Sequence, residues 1–61
     1  METEKEKFFS IYADIPEDLR TEIIAVVDGR SYTWNSAYFE IRKGGELANK
    51  ILNTLKATTI I

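Results

Sequence analysis

Asp28-Gly29, lying between Ile23-Ile24-Ala25-Val26-Val27 and Arg30-Ser31-Tyr32-Thr33-Trp34, most constrains how this chain can fold. A two-residue Asp-Gly loop between strand-forming residues is a strong hairpin signal, because a tight type I′ turn needs positive φ at both central positions. Ile23, Ile24, Val26 and Val27 are β-branched, which restricts χ1 in a helix and suits a pleated surface. A helix over the same stretch is the competing reading. Asp14 would cap it with Glu17 completing a box, Leu19, Ile23, Val26 and Val27 would share a face, and Gly29 would end it. The better use of Asp-Gly as a turn decides for the strand.

That turn sets a register. Val27 then faces Arg30, Ala25 faces Tyr32, and Ile23 faces Trp34. Asn35-Ser36 is read as a second tight turn, which sets Trp34 against Ala37, Tyr32 against Phe39 and Arg30 against Ile41. Because side chains alternate along a strand, one face carries Ile23, Ala25, Val27, Tyr32, Trp34, Ala37, Phe39 and Ile41 as a core. The open face carries Ile24, Val26, Ser31, Thr33, Tyr38, Glu40 and Arg42.

Phe8-Phe9-Ser10-Ile11-Tyr12-Ala13 is aromatic and β-branched and reads as a further strand. Pro16 ends it by withholding a backbone donor and holding Ile15 extended. After Lys43-Gly44-Gly45, apolar residues at 47, 48, 51, 52 and 55 draw one helical stripe over Glu46–Lys56. Glu46 and Lys50 are spaced to pair along that helix. Residues 58–61 fit either a short edge strand or an apolar tail. The expected fold class is α+β: a small antiparallel β-meander of three to four strands packed against one C-terminal α-helix, with β-α-β-β-α as the alternative. Residues 1–7, rich in alternating charge, are expected to be a flexible tail before one small domain over 8–61.

The chain has 61 residues and a net charge of -2, with no histidine and no cysteine. Imidazole bases, thiolate nucleophiles, disulfides and Cys/His metal sites are therefore excluded. Ser10, Ser31 and Ser36 have no identifiable base beside them. Asp14, Glu17 and Asp18 match no metal-loop spacing, and Gly44-Gly45 lacks the rest of a phosphate-loop pattern. No catalytic residue, metal or cofactor is expected.

The open face is the candidate site. Ile24, Val26 and Tyr38 would lie together there, extended by Tyr12 and Phe8 if their strand pairs alongside, and contiguous exposed apolar surface marks interfaces. The expected function is a non-catalytic protein-interaction module, partnered by another protein or by its own copies, through this face or a sheet edge. The alternative is nucleic-acid binding or regulation through Arg30, Arg42, Lys43 and Tyr38, although a slightly acidic chain lacks the attraction that drives nonspecific binding to phosphates. No apolar stretch approaches membrane-span length, and a cytoplasmic location is expected.

Overall fold

A computed structural model describes residues 3–61, in which the Asp28-Gly29 loop closes an antiparallel hairpin of β1 (Ile23–Val27) and β2 (Arg30–Thr33). Asp28 and Gly29 have φ of 54° and 78°, the pair of positive values that a type I′ turn requires. Val27 faces Arg30, Val26 faces Ser31, and Ala25 faces Tyr32. Ala25, Val27, Tyr32 and Trp34 are all buried.

Further from the turn, the register slips. Ile23 faces Thr33 rather than Trp34, because Ile24 is an extra residue between Ile23 and Ala25. One inserted residue exchanges the two sides of the strand beyond it. Ile23 is therefore 63% exposed, whereas Ile24 is half-buried against the core.

Among the described residues the sheet has two strands, not three or four, and there are three α-helices rather than one. The first correction concerns Phe8–Ala13, which lies in α1 (Glu4–Asp14). Phe8, Ile11, Tyr12 and Ile15 recur at i, i+3, i+4 and i+7 and face the core. That burial outweighs the strand preference of the individual residues. Thr3 caps the helix by accepting the Glu6 N–H at 3.2 Å, and Glu4 and Glu6 sit at its positive end. Of the expected tail, Glu4–Lys7 is thus the first turn of a helix, while Met1 and Glu2 lie outside the described residues. A short 3-10 helix (Glu17–Thr21) follows Pro16 and leads into β1.

The second correction is at Asn35-Ser36. Instead of turning into another strand, the chain enters α2 (Trp34–Lys43). The Thr33 hydroxyl accepts the Ser36 N–H at 3.1 Å and the Ser36 hydroxyl accepts the Thr33 N–H at 2.8 Å, a reciprocal cap. Gly44 and Gly45, at φ 78° and 98°, separate α2 from α3 (Glu46–Ala57), so they join two helices rather than a strand to a helix.

The helix after the glycines is where its stripe requires it: Ala48, Ile51, Leu52 and Leu55 are buried. Lys50 does not serve the expected Glu46 pair; its Nζ donates to Asp28 Oδ2 at 3.0 Å. The helices make a layer beneath the hairpin, with α3 under β1, α2 under β2, and α1 against both α2 and α3.

Residues 58–61 form no strand. They complete a C-terminal cap in which the Thr59 N–H donates to Lys56 O at 3.1 Å and the Ile60 N–H to Leu55 O at 2.9 Å. Ile60 and Ile61 are folded back onto the core. This motif puts Thr59 at φ 58°, where a β-branched residue is strained by roughly 1–2 kcal/mol. Thr59→Gly should relieve most of that strain. The expected gain is about 0.5–1 kcal/mol, or several degrees in Tm, measured by thermal unfolding at 222 nm. An unchanged or lower Tm would show that Thr59 is not strained.

Candidate interaction surface

The residues proposed from sequence as one apolar face lie in three different surroundings. Phe8 is wholly buried: its ring stacks on Trp34 at 5.7 Å and on Tyr12 at 6.2 Å and meets the Phe9 edge at 5.9 Å. Tyr12 and Tyr38 stack on each other at 4.4 Å with 19° between their planes. Ile24 is half-buried, which leaves Val26, 61% exposed, as the one member of the set turned fully to water. The sheet face that would have joined them does not form, because Tyr38 sits on a helix.

The tyrosine pair is a joint. Tyr12 comes from α1 and Tyr38 from α2, and the Tyr12 hydroxyl donates to Asn35 Oδ1 at 2.8 Å. The Arg20 guanidinium lies 4.4 Å from the Tyr12 ring centroid and donates through Nη2 to the Tyr12 carbonyl at 3.3 Å. Flat cations and aromatic faces attract through the ring quadrupole. Three elements are therefore pinned together, with Arg20 Nε buried and without a hydrogen-bond acceptor.

Three large apolar side chains that strand parity assigned to the interior or left aside are instead exposed. Leu19 is 44% exposed on the 3-10 helix, Ile23 63% at the start of β1, and Phe39 60% on α2. With Val26 they make up the exposed large hydrophobic residues among those described. Only the helical spacing of Trp34, Ala37 and Ile41 would have revealed Phe39, and nothing in the sequence marks the bulge that turns Ile23 outward.

β1 is also an edge. In a two-residue hairpin the pair flanking the loop exchanges both ladder bonds, so Val26, in the next pair, turns its N–H and C=O away from β2. Glu22 and Asp28 stand at the two ends of the strand. If two β1 strands paired antiparallel about Ala25, these acids would meet and repel, as charges at strand ends commonly do to block edge pairing.

The alternative nucleic-acid residues are divided between two elements. Arg30 is exposed beside the hairpin loop, while Tyr38, Arg42 and Lys43 are on α2. Lys43 is 3.5 Å from Glu40 and 5.1 Å from the Phe39 ring centroid. Tyr38 has one ring face occupied by Tyr12.

The remaining charges brace the fold. Lys56 bonds Glu4 at 3.2 Å, which joins the ends of α3 and α1; this hydrogen bond is the main cause holding the Glu4 carboxyl below its ordinary pKa. The Asp28 hydrogen bond raises Lys50 above its usual value in the same way. Both pairs are solvent-exposed, where such contacts stabilise little. The described residues enclose no pocket and gather no group of acidic residues able to hold a metal ion. No helix among them is long and apolar enough to cross a membrane. Comparison with protein-family models, curated proteins and solved structures gives no match.

Proposed function

We propose that this chain is a non-catalytic interaction module that binds a second copy of itself through the exposed apolar side chains of the 3-10 helix, β1 and α2. The observation that carries the reading is the exposure of Leu19, Ile23, Val26 and Phe39 in a chain of 61 residues. In water each of these side chains, 44% to 63% exposed, forgoes roughly 1–2 kcal/mol of burial that a partner surface could supply. Side-chain contact is the favoured mode; the acids at both ends of β1 oppose edge pairing between copies.

Sedimentation velocity over a concentration series tests this. The wild type should show a reversible monomer–dimer equilibrium, and Val26→Asp should shift it to monomer while leaving the far-ultraviolet spectrum unchanged. A wild type still monomeric at about 1 mM would limit any self-association to less than about 4 kcal/mol and remove the reading.

A further inference from the structure

We infer that the copies meet about a two-fold axis, with the acidic 3-10 helix of one against the basic C-terminal turn of α2 of the other. This rests on the self-association proposed above and assigns its geometry. The 3-10 helix packs along α2. Its Arg20 is fixed over Tyr12, whose ring stacks on Tyr38 and whose hydroxyl binds Asn35. Asn35, Tyr38 and Arg42 follow one another at i, i+3 and i+7, so the 3-10 helix borders the flank of α2 that carries Arg42, with Phe39 next around the helix.

Two groups of opposite sign are thereby carried by neighbouring elements. Glu17 and Asp18 immediately precede the exposed Leu19 on the 3-10 helix, while Arg20, which follows it, is held over Tyr12. Arg42 and Lys43 flank the exposed Phe39 on α2. Among the described residues, neither Glu17, Asp18 nor Arg42 takes part in an ion pair, and Lys43 has only Glu40 on its own helix.

A surface of this kind is complementary to itself. In a two-fold contact, patch i meets patch j and patch j meets patch i, so rotation sets each acidic lobe on a basic one and brings Leu19 toward the partner's Phe39. Size points the same way. The chain exposes 4195 Å², and a standard contact takes ~800 Å² from each partner, about a fifth of that surface. The few exposed apolar side chains are too small for such an area by themselves, and the charged lobes beside them supply the remainder.

Charge exchange between copies provides the test, using the full chain. Arg42→Glu with Lys43→Glu makes both lobes acidic, and Glu17→Lys with Asp18→Lys makes both basic. Each double variant alone should dimerise at least about tenfold more weakly than the wild type, whereas an equimolar mixture should recover a dimer by sedimentation. Wild-type association should also weaken from about 0.1 M to about 1 M salt, as the Debye length falls from ~10 Å to ~3 Å. The substituted side chains are exposed, and an unchanged circular dichroism spectrum confirms that each variant is folded. Double variants that dimerise like the wild type, or a mixture that stays monomeric, would overturn the arrangement. If Val26→Asp still breaks the dimer in that case, self-association stands and only this geometry falls. A monomeric wild type removes both.

Discussion

Phe8→Ala should remove about half of the chain's stability and lower its Tm by about 12 to 40 °C. Phe8 is among the largest fully buried side chains and is in contact with the rings of Trp34, Tyr12 and Phe9. Removing a buried phenylalanine costs about 3–5 kcal/mol through lost transfer energy and the cavity left behind. At roughly 0.05–0.15 kcal/mol per residue, a chain of 61 residues has a stability of only about 3–9 kcal/mol. No disulfide supplements this core. The variant should lose its helical signal at 222 nm at a much lower temperature than the wild type, and Trp34 emission should move to the red through the same transition as its ring enters water. The alternative outcome is specific: were Phe8 part of a docking surface, the variant would melt within a few degrees of the wild type and differ only in association.

That contrast shows where the sequence is readable. Asp28-Gly29 determines its own turn, since few residue pairs accept two consecutive positive φ values, and it correctly hides Ala25, Val27, Tyr32 and Trp34. The stripe from Leu47 to Leu55 is equally explicit, because five apolar residues at helical spacing bury nothing coherent as a strand. Phe8-Phe9-Ser10-Ile11-Tyr12 is different. Its residues individually prefer strands, and the i, i+4 pair of Phe8 and Tyr12 gains meaning only once α2 and α3 provide a surface for it. The cap at Thr33 could have been found: a threonine with serine three residues on can satisfy two helical N–H groups, an arrangement related to the capping box. Asn35-Ser36 also fits a tight turn, and that choice extended strand parity beyond the point where the strand ends.

The candidate site suffered most from that extension. Parity placed Ile24 and Tyr38 on one open face with Val26, whereas the bulge turns Ile24 inward and the helix carries Tyr38 to a different side. Val26 keeps its predicted exposure because it lies between the turn and the bulge, the one stretch where the register is governed by Asp-Gly alone. The exposed residues that replace the others, Ile23 and Phe39, were assigned to the core by the same parity. A surface can thus be misread even when the amount of apolar residue is right, because one inserted residue or one helical turn reassigns every side chain beyond it.

Phe39 and Ile41 turn this lesson into a measurement. In a strand they share a face, and truncating either would be similarly harmful. In α2 they are 200° apart around the axis at about 100° per residue, so one face of the helix takes Ile41 and the opposite side takes Phe39. Ile41 is fully buried and Phe39 is 60% exposed. Ile41→Ala should therefore destabilise by about 2–5 kcal/mol and lower the urea midpoint accordingly. Phe39→Ala should change stability by no more than about 0.5 to 1 kcal/mol, the larger figure including its contact with Lys43. Equal losses at both positions would mean that residues 37–41 run as a strand. A large loss at Ile41 with little at Phe39 fixes the helix, and the second variant should then show its defect in sedimentation, where the ring removed from the surface is no longer present to meet Leu19 of another copy.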